Sequence, residues 1–406
     1  MSYSFNKQIT VDHTQVPSTQ TNFPVLISGT YSYLATVANS GGIQNTVTLN
    51  GLTVPADLIF TSDSLGISLL SWEISDYNPV TGEIEIWVNI PTLSSSIDTI
   101  FYMFYGNSLV TTYQCVASST WNATYGLVAH LNSGANIYQD STSHNSVEHH
   151  QVNTSVPAKI NAGIEQVGTA AEVFWAHFGS NPMSGSFTLS CWLNVLSLGA
   201  DTSLCQISAT NGRFLNYGTF GTHNLSTVEQ GVVAIQEVPY SSYINTFHKI
   251  DWVYDGTNSI VYIDGINVSS IPYTFIGSVN IDQYIGQNAA NNDQIVDEYH
   301  VVSTNHSQDW ITTEYNNQNS PSTFYSIGSG ALTLSLSDSI SLTDSLSPAF
   351  EISLNLPADS VIVSDSTPGS FSIQSDFLVP VHIPIVEQLV NQLVPANIKT
   401  YFKIVE

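Results

Sequence analysis

Residues 247–268 read F-H-K-I-D-W-V-Y-D-G-T-N-S-I-V-Y-I-D-G-I-N-V, and this stretch decides the fold class. Ile250, Trp252 and Tyr254 recur at every second position, the side-chain period of a strand. Asp255-Gly256 then supplies a hairpin turn, since Asp and Gly tolerate the positive φ that tight hairpin turns demand. Ile260 and Tyr262 resume the alternation, and a second turn, Asp264-Gly265, follows at once. Further out, N-I-D-Q-Y-I-G-Q (280–287) and I-V-D-E-Y-H-V-V-S (295–303) are strand-like runs. Q-D-W-I-T-T-E-Y-N-N-Q (308–318) sets Trp310, Ile311 and Tyr315 at helical spacing and predicts a helix over 307–319. Strands joined by Asp-Gly turns mean antiparallel sheet, and nothing in the stretch needs a catalytic group.

These residues resemble the laminin-G-like, concanavalin-type lectin fold. That family carries a W-H-x-V-x-x-x-Y-D-G…Y-V-D-G hairpin and a later I-D-E-V strand. Here Phe247 stands in the place of the Trp, and the later strand is Ile295-Val296-Asp297-Glu298-Tyr299. The order of upstream pieces is also similar: G-L-V-A-H-L (126–131), Y-Q-D-S-T-S-H-N (138–145), V-P-A-K-I (156–160) and F-T-L-S-C-W-L (187–193). The resemblance covers roughly half the chain and speaks to fold more than to ligand. It implies an all-β, multidomain protein: a concanavalin-like jelly-roll sandwich over 116–328, flanked by smaller β domains, with a short C-terminal helix.

Residues 1–115 form the first of these flanking domains. Ile84, Ile86, Val88 and Ile90 share one strand face after the Thr81-Gly82 turn. T-I-F-Y-M-F-Y (99–105) is apolar almost throughout, which predicts a central, doubly covered strand. The pieces I-T-V-D-H-T-Q-V, T-N-F-P-V-L-I-S, L-S-W-E-I, W-V-N-I-P-T-L-S and F-Y-M-F-Y-G-N are similar to an uncharacterised β domain. That domain precedes laminin-G-like modules in phage structural proteins and prokaryotic surface proteins. Over 329–383, Leu332, Leu334, Leu336, Ile340, Leu342 and Leu346 keep one phase against Ser and Thr, predicting strands with one apolar face. Over 384–406, Ile385, Val386, Leu389, Val390 and Leu393 line a short helix bracketed by Pro384 and Pro395, before a last strand. This element resembles the C-terminus of some phage tail proteins.

Composition narrows the function. Six Lys plus Arg against 32 Asp plus Glu leave a net charge of −26, yet charged residues are only 9% of the chain. Ordinary domains carry roughly 25%. The surface is therefore built from hydroxyl and amide groups, which suits an exposed protein with few tryptic sites. So little positive charge disfavours nucleic acid and anionic membranes as partners. No apolar run reaches transmembrane length, and the N-terminal residues lack the basic and apolar regions of a secretory signal. Cys115, Cys191 and Cys205 show neither a C-x-x-C nor a zinc spacing and are read as thiols.

Candidate sites follow from the lectin resemblance. Sugar sites present aromatic faces on loops at a sandwich rim. Trp175, His177, Tyr217, His223, Tyr240 and Tyr243 are the candidates, with loop 216–224 as the recognition loop and core packing as the competing role of each. Related folds often hold calcium, for which Asp140, Asp293 and Asp297 offer oxygens. The same fold hosts glucanases with an E-x-D-x-x-E strand. Here Asp297 and Glu298 are adjacent, and strict alternation would send them to opposite faces, so a hydrolase is disfavoured. The expectation is a non-enzymatic virion structural or adhesion protein, spike- or tail-fibre-like, displayed on a virion surface or otherwise extracellular. Its partners would be other virion proteins and a host-surface glycan, and by analogy it would form a homo-oligomer, a trimer. A prokaryotic surface adhesin is the alternative.

Overall fold

Strand periodicity matures into an all-β architecture. The computed structural model describes residues 3–49, 51–115, 117–132, 139–142, 144, 147–148, 154–166, 174–177, 183, 185–196, 202–207, 213–217, 224–229, 235–275, 282–285, 294–328, 351–353 and 372–374. The chain divides into two units, residues 1–328 and 329–406. No helix among the described residues is long and apolar enough to cross a membrane.

The first module uses β1 (Phe5–Val11), β2 (Gln20–Thr30), β3 (Thr46–Leu49), β4 (Leu52–Pro55), β5 (Leu58–Thr61), β6 (Trp72–Asn78), β7 (Glu83–Leu93) and β8 (Thr99–Tyr105). β3 and β4 form a hairpin of their own, and β2-β7-β6 make a three-stranded sheet. β8 runs between β1 and β5, the central position that its apolar run predicts. Phe23, Val25 and Ile27 of β2 meet Phe60, Phe101 and Met103 of the β1-β8-β5 sheet in one core. The alternate residues of the three-stranded sheet, Leu26 and Trp87, point the other way into a second cluster.

The sandwich follows with β9 (Tyr125–Ala129), β10 (Val147–Glu148), β11 (Thr154–Pro157), β12 (Ala162–Gln166), β13 (Phe174–His177), β14 (Phe187–Val195), β15 (Thr202–Ile207) and β16 (Arg213–Tyr217). It continues with β17 (Asn224–Glu229), β18 (Gln236–Pro239), β19 (His248–Tyr254), β20 (Asn258–Ile263), β21 (Ile266–Pro272), β22 (Asp282–Ile285) and β23 (Gln294–Val302). One sheet has the order β10-β13-β22-β15-β16-β17-β18; the other runs β11-β12-β23-β14-β19-β20-β21, with β9 also on β23. Both Asp-Gly pairs form the expected turns. Gly256 (φ +99°) links β19 to β20, and Asp264 (φ +53°) with Gly265 (φ +76°) links β20 to β21. The F-T-L-S-C-W-L strand is β14, buried along its whole length between β23 and β19. Leu189, Cys191, Leu193, Trp252 and Tyr299 fill the interior with Leu215 and Leu225 from the opposite sheet.

The helix Gln308–Asn319 forms as predicted, with Ser307 capping it by accepting from the Trp310 amide at 3.2 Å. Its destination is the first module. Trp310 packs on Phe23 with ring centroids 4.8 Å apart, and β24 (Tyr325–Ile327) then adds a strand beside β1. In the second unit, β25 (Glu351–Ser353) pairs in parallel with β26 (Ser372–Gln374). The rest of the Ser/Thr-rich alternation, the helix of 385–394 and the final strand lie outside the described residues.

Candidate functional site

The predicted sugar-contacting residues fall in several environments. Trp175 and His177 lie on β13, in register with Tyr284 and Asp282 of β22. Tyr217 ends β16 opposite Leu225 and Thr202. His223 lies outside the described residues, as does most of loop 216–224. Tyr240 is 0% exposed and sits in the sandwich core, so it offers no ring face to a sugar; the apolar interior claims it instead. Tyr243 is half-buried, stacked on Tyr240 at 5.3 Å and edge-on to His248 at 4.9 Å.

The backbone also brings together residues far apart in sequence. Glu148 is in register with Trp175, Trp175 with Tyr284, Tyr284 with Gln206, Gln206 with Phe214, and Phe214 with Val228. This transverse row crosses β10, β13, β22, β15, β16 and β17. It is one residue out of phase with Leu215, whose side chain belongs to the core.

Of the calcium candidates, Asp293 lies outside the described residues. Asp140 accepts from the Val128 amide at 3.2 Å, the Thr142 amide at 2.9 Å and the Thr142 hydroxyl at 2.8 Å. Asp297 is 0% exposed and accepts from the Ile160 amide at 2.8 Å. The two carboxylates accept from different backbone segments.

Among the described residues, a dense group of titratable side chains lies elsewhere, where β23 and β9 meet the three-stranded sheet of the first module. It originates in a β-bulge. Ser190 of β14 pairs with His300 of β23, but Trp192 pairs with Asp297, so Cys191 opposes two residues. Glu298 takes the positive φ, +50°, that absorbs the extra residue. Tyr299 enters the sandwich core, while Glu298 meets His130 and His300 and Asp297 meets Ile160, all outside it. The bulge thus corrects the alternation argument: Asp297 and Glu298 share the outer side.

Around Glu298 the contacts are close. His130 Nδ1 lies 2.9 Å from Glu298 Oε2, and His300 Nε2 lies 3.0 Å from the same oxygen. His130 Nε2 is 3.4 Å from Glu73 Oε2 on β6. Trp121 Nε1 donates to that Glu73 oxygen at 2.6 Å, and the Ser141 hydroxyl donates to Oε1. On β7, Glu85 accepts from the Ser75 hydroxyl at 2.6 Å and from Asn132 Nδ2 at 3.2 Å. On the far side, Lys249 Nζ pairs with Asp251 at 2.5 Å and with Glu314 at 2.9 Å, and His300 Nδ1 is 3.9 Å from Glu314. Trp87 stacks over His130 at 5.7 Å and Trp121 stands edge-on to His300 at 5.3 Å, closing the cluster in indole.

Six buried carboxylates, Glu73, Glu85, Asp251, Asp297, Glu298 and Glu314, are served by one lysine and two histidines. Removing so much charge from water is costly, and the groups divide the charge accordingly. Burial pushes Glu85 well above the ordinary carboxylate range, and the Glu298 charge adds to this. Asp297 is raised by the same two causes. Burial opposes ionisation of Glu298 as well, but the charge and hydrogen bonds of His130, aided by His300, outweigh it and bring the group to about 2. Burial opposes protonation of His130, yet Glu298 and Glu73 hold its pKa well above the usual value. The pair is thus held toward its charged form, while burial pushes the neighbouring Glu85 and Asp297 the other way.

Sequence reasoning missed His130, His300, Glu73 and Glu85. They come from four separate strands or strand ends, with no motif in common. The available signal was charge inside apolar runs: Glu73 in S-W-E-I, His130 in L-V-A-H-L, and Glu298-x-His300 in the strand-like run 295–303.

No protein-family model and no curated protein matches the chain. Among solved structures, it is similar to the receptor-binding domain of botulinum neurotoxin C/D mosaic serotype (13% identity, TM-score 0.40, 49% of this chain and 52% of that one). It is similar also to the binding domain of botulinum neurotoxin DC in a complex with SialylT (13%, 0.40, 48% and 52%). A third is the binding domain of Paraclostridial Mosquitocidal Protein 1 (15%, 0.38, 47% and 52%). The chain spans about half the length of each.

Proposed function

We propose that this chain is a non-enzymatic adhesion protein of a virion or cell surface, and that its sandwich binds a glycan on the seven-stranded sheet. The observation that carries the reading is the transverse register row holding Trp175, Tyr284 and Phe214. Three aromatic positions stand in one register row with Glu148 at its end and Gln206 within it, a combination of residue types that sugar sites use. The composition supports an exposed setting, since hydroxyl and amide groups replace most surface charge. The absence of hydrolysis in this reading rests on where the described acids gather. Glu73, Glu85, Asp297 and Glu298 are packed in a sealed seam, not along an open cleft where a glycosidic bond could lie between them.

The experiment is a glycan array on the full chain, with and without chelator, repeated for Trp175→Ala/Tyr284→Ala. The expected result is selective binding that the double variant weakens about tenfold or more while its melting curve stays unchanged. Binding lost on chelation would add calcium to the site. An array with no hits, or hits indifferent to the double variant, defeats the reading. Mass spectrometry of purified particles and cell envelopes then assigns the location. Fixed stoichiometry with a capsid protein supports the virion, and co-purification with envelopes supports the cell-surface adhesin.

A further inference from the structure

We propose that His130, Glu298 and His300 bind one divalent transition-metal ion of the zinc class between the two β modules of residues 1–328. One nitrogen from each imidazole and a Glu298 oxygen all lie within 4.8 Å of one another, and all three residues are buried. A tetrahedral ion with bonds of about 2.1 Å holds its ligand atoms about 3.4 Å apart. The two imidazole-to-Glu298 distances, 2.9 and 3.0 Å, need only a few tenths of an ångström of opening. Two imidazole nitrogens and one carboxylate oxygen suit zinc, cobalt or nickel, whereas calcium and magnesium favour oxygen alone.

The outer contacts point the same way independently. Metal-bound histidines turn their second nitrogen toward a carboxylate or carbonyl, which fixes the ring and raises its basicity. His130 turns Nε2 to Glu73, itself held by Trp121 and Ser141. His300 turns Nδ1 toward Glu314, itself anchored by Lys249. His130 thus has an outer carboxylate within hydrogen-bond reach at 3.4 Å, while the Glu314 oxygen behind His300 stands 3.9 Å away. On binding, each ring supplies a lone pair, and the protons shared with Glu298 leave to solvent.

The test uses the full chain without an affinity tag. Metal content is measured by plasma mass spectrometry, and chelator-stripped protein is refolded with Co²⁺ while the visible spectrum is recorded. The expected outcome is about one zinc-class ion per chain and a tetrahedral cobalt band near 500–650 nm. Chelation should lower the melting midpoint by roughly 5 °C, and Zn²⁺ should restore it. Glu298→Gln and His300→Ala should lose the ion. His13→Ala should keep it, because it alters the partly exposed Asp12–His13–Asp98 group instead. If the variants fail to fold, the wild-type cobalt spectrum decides. No stoichiometric metal and no cobalt band in the wild type overturns the proposal, as does loss of the ion in His13→Ala with retention in His300→Ala.

Discussion

Asp255 shows how much one carboxylate settles at a turn. Its Oδ1 accepts from the Thr257 and Asn258 amides at 2.8 and 2.7 Å and from the Thr257 hydroxyl at 2.8 Å, while Oδ2 accepts from Asn258 Nδ2 at 2.9 Å. Its slight burial works to raise its pKa, but the Asn258 and Thr257 donors outweigh this and bring it from 3.8 to about 2. A folded value below the unfolded one gives stability that is present above about pH 4 and lost as pH falls through 2. Discounted for solvent screening, the contribution is about 1 kcal/mol. Asp255→Ala should therefore unfold at lower urea than wild type at about pH 6, with the gap narrowing by about pH 3. A gap that is constant across that range would refute the assignment. The Asp-Gly turns were legible in the sequence because all their partners are local. Asp297 and Glu298 were not, because a bulge depends on how β23 registers with β14, a strand about a hundred residues away. The same holds for His130 and Glu73, which meet only through pairing that neither residue announces.

At the scale of elements, the helix Gln308–Asn319 was legible and its role was not. The Ser307 cap and the Trp310, Ile311 and Tyr315 spacing define it locally. What it does is complete the edge of β2. Asn317 Oδ1 accepts from the Leu26 amide at 2.7 Å, and its Nδ2 donates to the Leu26 carbonyl at 3.0 Å. A side-chain amide thus takes the place of a neighbouring strand's backbone on the open side of β2, with the site buried to 1% exposure. Asn317→Ala leaves a buried donor and a buried acceptor unsatisfied, each costing about 1–3 kcal/mol. The expected loss is about 2–4 kcal/mol by urea denaturation, with faster amide exchange at Leu26. Asn317→Asp should also destabilise, since it keeps the acceptor and removes the donor. A loss under 1 kcal/mol for Asn317→Ala would mean that water replaces the amide freely and that β2 does not depend on the helix.

For the whole molecule, the all-β class was legible because period-two patterning and turn residues act over short distances. The joining of the modules was not, since it depends on faces that a strand pattern leaves unassigned. Leu26, Trp87, Trp121, Tyr125, Val128, Ile160, Trp192 and Val302 form one cluster drawn from both modules. The first module's own core takes in Trp310, Phe324 and Tyr325 from beyond the sandwich, and β1 pairs with β24. Residues 1–328 should therefore fold as one cooperative body. A fragment of residues 1–115 lacks three large core side chains, each worth about 3–5 kcal/mol when buried, against a whole-domain stability of about 5–15 kcal/mol. It would also bare the outer edge of β1 and leave Leu26 and Trp87 facing water. The fragment should show no cooperative melting transition and poor dispersion in its proton–nitrogen spectrum. Residues 1–328 should give one calorimetric transition whose calorimetric and van't Hoff enthalpies agree. A well-dispersed spectrum and a sharp melt from residues 1–115 would show that the module stands alone, and that the helix and β24 dock on a finished surface. The predicted failure would instead mean that the return of the chain after the sandwich is a condition for folding the module where it began.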